Sequence, residues 1–504
     1  MAFVQNVPFF SIMISMFSGI ISSVLPAKTA RRLNAGMITV VGLMSAWLLI
    51  WLAQSDIGSY TFMMGHFPAP WGNEIRAGVL EAGMALFFCV IMLLSMFGGR
   101  KKLLEQVEES KQNIYYILTN MLLSSLLALV YTNDMFTAYV FVEINTIAAC
   151  GLIMIRQNGR TIEAAVRYMI MSLLGSGLLL LGICMLYDLT GHLLMSNIKE
   201  SVSVILSEGT YRIPLLITIG LMTVGLAIKS ALFPFHSWLP DAYGYSTVSS
   251  AAMLSSLVSK GYIFLLIKIF YRVIGFDLIA GSKILNALFV FGLCGMIFGS
   301  VSAIWEKDIR RMISFSSVAQ IGYIYMGFGL GSEAGMVASI FHILAHAATK
   351  SLLFVSAIGL TDVSGRSRDF FNLTGAAYRN KVAAVGFTVG SFSMVGIPIF
   401  AGFVSKLLFA QAAVETSLIR MLPTLIVLAI STILNAIYFL KTVLRIYTPE
   451  DPAVVEQKGF VSMHWKDQRD YTVTIIFFII LNLVLGMTSQ PILELIKNGL
   501  HNFA

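Results

Sequence analysis

The chain has 504 residues, 57% of them hydrophobic and 12% charged, with a mean hydropathy of +0.82. A soluble domain carries roughly 25% charged residues, so the composition excludes one and points to a polytopic membrane protein built from spans of about 20 apolar residues. The formal net charge of +8 would suit a nucleic-acid binder, but its distribution over the loops argues for topology instead.

In chain order, fourteen apolar runs read as spans: 7–25, 33–54, 78–98, 112–131, 134–156, 163–188, 213–235, 243–273, 281–304, 309–331, 334–360, 381–411, 421–447 and 471–493. They lack the period-2 alternation of barrel strands, so helices are the spanning form, and the fold class is an all-α polytopic membrane protein. The start, MAFVQNVPFFSIM, has no basic region of a signal peptide, and the first run is expected to be a retained helix. Cys89, Cys150, Cys184 and Cys294 stand singly in apolar runs. They read as small core residues, without metal or disulfide roles.

Lysine and arginine sort by loop. Odd-numbered loops hold 21 of them, among them Arg31, Lys101, Arg310, Arg366 and Arg445. Even loops and the tail hold 8, including Lys199, Lys268, Arg272 and Arg420. The positive-inside rule then places odd loops in the cytoplasm and both termini outside.

Charges inside spans are costly and mark ion pathways. Glu143 lies in the fifth span, Lys229 in the seventh, Lys260 in the eighth and Lys406 in the twelfth. His342, His346 and Lys350 follow one another at i, i+4 and i+8 in the eleventh, on one helical stripe. Glu81, at the start of the third, is given little functional weight. Two spans read as broken: the seventh at Phe233-Pro234, and the twelfth around Gly396, Pro398 and Gly402. The breaks lie five spans apart, so spans 4–8 and 9–13 fit two repeats, the second inverted because the repeat length is odd. His236, in the turn FPFHSWLPDAYG, is an access point or a structural histidine. Trp238 and Tyr243 read as interfacial anchors. No dinucleotide or phosphate loop and no cysteine cluster accompanies these charges, so the chemistry on offer is proton or cation movement, with no cofactor or metal.

Several stretches resemble the antiporter-like subunits shared by respiratory complex I, Mrp-type cation/proton antiporters and membrane-bound energy-converting hydrogenases. They are YVFVE around Glu143, KSALFPFHSWLPDA with Lys229, VSKGYIFLLIK with Lys260, WEKDIRRMISFSSVAQIGYI, HILAHAATKSLLF, and GIPIFAGFVSK with Lys406. Length and the Lys260 stretch are most similar to the D-type Mrp subunit or its hydrogenase counterpart. The chain departs in reading YGYSTVSSA where a proline step precedes the eighth span. EIRAGVLEAG lacks an acidic residue directly after IR, and the tail is too short for a lateral helix.

The resemblance implies fourteen helices: 1–111 as N-terminal helices 1–3, 112–273 as the first repeat, 281–447 as the inverted second repeat, and 471–504 as the last helix and tail. It implies a proton path through Glu143, Lys229, Lys260, His342, His346, Lys350 and Lys406, in the inner (cytoplasmic) membrane. The implied partners are other membrane subunits of an Mrp-like or complex I-like assembly, a peripheral iron–sulfur/hydrogenase or ferredoxin/NAD(P)H-oxidising arm, H⁺, the lipid bilayer, and no nucleic acid. Na⁺ is left open as a second ion. The rival readings are a non-pumping membrane anchor of such a redox complex and a stand-alone solute carrier. An anchor has no reason to keep midplane charges, and no ligand-shaped polar constellation stands out for a carrier.

Overall fold

The computed structural model describes residues 3–55, 57–64, 67 and 72–503. Among them, twelve helices are long and apolar enough to cross a membrane. These are α1 (Val7–Ser22), α2 (Ala27–Gln54), α3 (Val79–Gly98), α4 (Glu109–Tyr131), α5 (Met135–Met154), α6 (Gly159–Thr190), α7 (Arg212–Lys229), α8 (Val248–Ile274), α9 (Lys283–Trp305), α11 (Glu333–Asp362), α14 (Leu418–Tyr447) and α15 (Arg469–Met487). The tenth and twelfth predicted spans also form, each with a reason for standing apart. The tenth is α10 (Ile309–Gly329), rich in serine and buried along nearly its whole length, so its polar side chains never meet lipid. The twelfth is two half-helices, α12 (Lys381–Val395) and α13 (Ala401–Val414), parted where Gly396 and Ile399 take positive φ. A closing helix, α16 (Ser489–His501), packs along α3.

Asp134, Asn158, Ser282, Asp308, Ser332 and Asn380 each accept a hydrogen bond from the first turn of the helix they precede, satisfying donors that a helix start leaves free. Helices α9 and α10 cross at glycines. A Cβ on Gly292 would lie 2.4 Å from the Met326 amide nitrogen, and one on Gly299 would lie 2.5 Å from that of Ala319. Small residues let backbones meet where lipid gives helices no hydrophobic drive to associate.

The connections sort into two ends. At one end, Arg156 donates to the Tyr245 carbonyl (3.0 Å), Arg368 to that of Gly244 (2.8 Å), Arg311 pairs with Asp241 and Glu306, and Arg379 with Glu450. All of these belong to odd connections or their flanks. At the other end, Asn133 donates to Glu74 (2.6 Å), the Met195 amide to the Asn133 carbonyl (2.9 Å), Arg76 to the Asn502 carbonyl (2.7 Å) and Arg420 to that of Leu330 (2.7 Å). This end also carries a hairpin, β1 (Ser59–Met63) against β2 (Glu74–Gly78), and an amphipathic helix, Met195–Glu208. Neither element is foreshadowed by hydropathy.

Several expectations are corrected. Lys268 and Arg272 are not loop residues. Both are buried in the last turns of α8, where Lys268 donates to the carbonyls of Leu129, Val130 and Thr132, and Arg272 pairs with the equally buried Glu81. Glu81 therefore has a structural partner. Trp238 and Tyr243 are not interfacial anchors: they are 2% and 1% exposed, and Trp238 packs edge-on against Tyr168 and Tyr243. Cys184 is an exposed residue of α6 rather than a core one, whereas Cys89 and Cys150 are buried.

Candidate functional site

Helix α7 stops at Lys229 because Ala231 takes a positive φ and Pro234 follows in the turn. Lys229 is thereby its last residue, at the negative end of the helix dipole, where a cation is favoured. The ammonium lies fully buried, 3.5 Å from Glu143 Oε1 and 2.8 Å from the Thr146 hydroxyl to which it donates. Thr146, one turn along α5 from Glu143, meets the Tyr262 hydroxyl at 3.2 Å, and Tyr262 donates to Asn145. The Tyr262 ring also lies under the Lys229 ammonium, 5.4 Å from its centre. Glu143 Oε1 is shared with the Ser176 hydroxyl of α6. The pair is asymmetric: the Glu143 side chain is 25% exposed, on a face of α5 that also shows Phe136, Val140 and Ile147.

Lys260 lies two residues before Tyr262 on α8. Just before it the helix widens into a π turn, Leu254–Val258, and Lys260 donates to the Ser255 carbonyl within that turn (2.6 Å). Single π turns inside α-helices are frequent at functional sites. Opposite, α11 presents His342, His346 and Lys350 on one buried stripe, as their spacing predicted. Lys350 donates to the Ile313 carbonyl (2.9 Å) and the Ser316 hydroxyl (2.7 Å) of α10. His342 Nδ1 meets the Ser405 hydroxyl at 2.6 Å, and its ring stacks on Tyr323. His346 lies within electrostatic reach of Lys260, Lys350 and His342, and His342 within that of Lys406.

Lys406, half-buried on α13, reaches across the break to the last carbonyl of α12, Val395 (2.7 Å), and to the Thr432 hydroxyl (3.0 Å). Its ammonium, like that of Lys229, thereby lies at the C-terminal end of a broken half-helix. Among the described residues Lys229 alone of the four lysines has a carboxylate partner, and Lys260, Lys350 and Lys406 are held by carbonyls and hydroxyls. The structure thus brings Glu143 and Lys229 together and strings the other predicted residues between Lys260 and Lys406. His236 stands apart, half-buried in the turn, stacked on Phe233 with Nδ1 unpartnered.

The groups that sequence reading missed are the hydroxyls and amides holding the charges: Thr146, Ser176, Tyr262, Ser316, Ser405 and Thr432. Between the lysines the interior is polar and incompletely paired. Both nitrogens of His346, Nε2 of Gln320 and Nδ2 of Asn435 have no hydrogen-bond partner among the described residues. Each such group costs about 1–3 kcal/mol if left unsatisfied, and water is the small polar guest that satisfies groups of this kind.

The transmembrane model of the NADH:quinone oxidoreductase/Mrp antiporter family matches residues 132–433, which contain every residue of this site. The chain is 31% identical over 398 residues to NADH-quinone oxidoreductase subunit N of Desulforudis audaxviator, covering 77% of this chain and 75% of the relative. It is 30% identical over 393 residues to a protein of Staphylococcus haemolyticus named putative antiporter subunit mnhD2, covering 77% and 75%. Its fold superposes with a TM-score of 0.86 on a chain of the Mrp complex from Dietzia sp. DQ12-45-1b, at 23% identity over 100% of this chain and 98% of the other. It superposes equally, at 0.86 and 22% identity over 99% and 97%, on a chain of the membrane-bound sulfane sulfur reductase, an archaeal respiratory membrane complex.

Proposed function

The chain belongs to the NADH:quinone oxidoreductase/Mrp antiporter membrane family, and we propose that it is a proton-translocating membrane subunit of a multisubunit assembly of that kind. The observation that carries this reading is the Glu143–Lys229 pair at a helix break, followed by a line of buried lysines and histidines without counter-charges. Removing an ion from water costs several kcal/mol even after relaxation. A scaffold gains nothing from holding a row of them, so a non-pumping anchor is the weaker reading. The relatives' names, an NADH-quinone oxidoreductase subunit and antiporter subunits, point the same way.

The mechanism follows from the asymmetry of the pair. While Glu143 lies beside Lys229, the carboxylate stabilises the ammonium. When Glu143 is drawn outward, the buried ammonium loses that support and desolvation favours its neutral form. The proton then moves toward Lys260, along the His346/His342/Lys350 stripe, and on to Lys406. The exposed edge of Glu143 lies on an apolar face, which supports a neighbouring membrane subunit packing there and biasing the switch.

We further propose fourteen crossings, with helices four to eight and nine to thirteen as inverted repeats, odd connections cytoplasmic and both termini outside the cell membrane. The sorting of loop contacts into two ends and the charge bias both support this. H⁺ is the ion these residues suit. Na⁺ exchange is decided by measuring ²²Na⁺ flux beside proton flux.

The test is translocation by the assembled complex in inverted vesicles. Lys229→Ala and Glu143→Ala are expected to abolish proton transport while the complex stays intact on native gels. Normal pumping by both variants would overturn the reading.

A further inference from the structure

Three arginines share one recess at the end of the molecule where the odd connections gather. It lies between the start of α2 and the end of α3 and holds about 360 Å³. Arg31, Arg32, Arg100 and Tyr116 line it, with Ala35 and Phe97 continuing its wall toward the membrane interior, and no carboxylate among the lining residues described. Among the described residues Arg31 and Arg32 form no ion pair, and Arg100 forms one, with Asp470 of α15 at 2.6 Å. The neighbouring recesses mix their signs. One sets Asp362, Asp467 and Asp470 among its cations, and another sets Glu105 and Asp362 beside Arg366 and Arg368. Arg31 also borders a recess with Glu105, Glu108 and Glu109, of which the first two are engaged by Lys102 and Lys111.

The depth of the recess fits a lipid headgroup. Helix α2 has 28 residues, about 42 Å at 1.5 Å per residue. Set about the middle of a hydrocarbon core of about 30 Å, it leaves about 6 Å at each end, the rise from Ala27 to Arg31. Below the arginines runs an apolar track. Arg32, Gly36, Val40, Leu43, Trp47 and Ile50 follow at spacings of four, four, three, four and three, on one helical face. The last four are between 45% and 67% exposed. A Cβ on Gly36 would meet nothing within 4 Å, so the helix surface is bare one turn below Arg32.

We propose that this recess seats an anionic phospholipid of the leaflet at that end, its phosphate held by Arg31, Arg32 and Arg100 and an acyl chain lying along the α2 track from Gly36. A guanidinium meets phosphate oxygens two at a time, which a lysine does not. A topology signal accounts for basic residues near the end of a span. It does not account for three guanidiniums converging on one recess without a carboxylate in its wall, above a bare helix surface. The inference needs only that α2 and α3 cross the membrane. It holds whichever side that end faces, and stands or falls apart from the proton path.

The test uses the assembled complex in phosphatidylcholine vesicles doped with a photo-crosslinkable phosphatidylglycerol carrying a diazirine in its acyl chain. Crosslinked peptides of this chain are quantified by mass spectrometry. The stretch from Gly36 to Ile50 is expected to be labelled at least fivefold more by this probe than by the matching phosphatidylcholine probe. Arg31→Gln combined with Arg32→Gln is expected to remove that difference. Gly36→Phe, which fills the track without touching a charge, is expected to lower labelling at least threefold. Asp470→Asn frees Arg100 and is expected to raise labelling at least twofold, a gain that a folding defect does not imitate. Unlabelled phosphatidylglycerol should compete, and inorganic phosphate should not. Equal labelling by the two probes would mean ordinary surrounding lipid and overturns the site. So does absence of labelling by either probe, which would mean that protein covers the track. Competition by inorganic phosphate as strong as by phosphatidylglycerol would leave a free-anion site and overturns the lipid assignment.

Discussion

At the scale of single residues, the proposed path depends on partners that either hold a proton or let it go. Lys406 donates to the Val395 carbonyl and the Thr432 hydroxyl and lies over the Tyr323 ring, with no carboxylate among the described residues to hold its charge. Lys406→Arg keeps the charge and the donors, but a guanidinium does not release its proton in a protein. It is expected to block proton flux while leaving assembly intact, and flux equal to the unmodified complex would remove Lys406 from the path. Thr146→Val changes shape little and deletes the hydroxyl that Lys229 donates to at 2.8 Å. A hydrogen bond to a charged group is worth about 1.5–3 kcal/mol, so transport is expected to fall roughly tenfold or more, measured as initial rate in the same vesicles. The charges themselves were legible in the sequence, because a lysine or glutamate inside an apolar run has no ordinary reason to be there. Thr146, Ser316 and Thr432 were not. Hydroxyls are common in membrane helices, and only the packing tells which of them faces a lysine.

At the scale of elements, proline and glycine announced both breaks, and the structure places them at Lys229/Ser230 and between Val395 and Ala401. The π turn before Lys260 carried no such signal. It comes from one extra residue accommodated in a continuous, fully buried helix, and no residue type marks it. The burial of Trp238 and Tyr243 is hidden for a related reason: an aromatic beside a proline turn can point to the interface or into the bundle, and both of these point into the bundle although Pro234 and Ser237 of the turn are exposed. The α9/α10 crossing was also hidden, since glycines at 292, 295 and 299 show their purpose only once α10 lies against them. Gly299→Leu is expected to push the helices apart by more than side-chain adjustment can absorb, because the obstacle is backbone. Overpacking of this kind costs about 1–3 kcal/mol or more. The complex should show a lower thermal midpoint of aggregation in detergent and reduced yield. Gly281→Ala is the control: nothing lies within 4 Å of its added Cβ.

At the scale of the whole molecule, the proposed orientation rests on two observations that do not depend on each other. The basic residues favour odd connections, and those connections also hold one another through Arg156, Arg311, Arg368 and Arg379. Moving Lys268 and Arg272 from an even loop into buried α8 sharpens the bias, because the even end then has fewer exposed cations. If the odd end is cytoplasmic, a cysteine at Arg366, whose side chain is 76% exposed, should react with a membrane-impermeant maleimide in inverted vesicles and not in right-side-out ones. A cysteine at Ser203, on the exposed face of the helix Met195–Glu208, should show the opposite pattern. Both belong in a background with Cys184 replaced by serine. Reversal of both patterns would keep the fold and invert the membrane, which would also turn the α2/α3 recess toward the outer leaflet. Labelling of both sites from one side would mean that an even number of crossings separates elements here placed at opposite ends, and the repeat assignment would have to be abandoned with it.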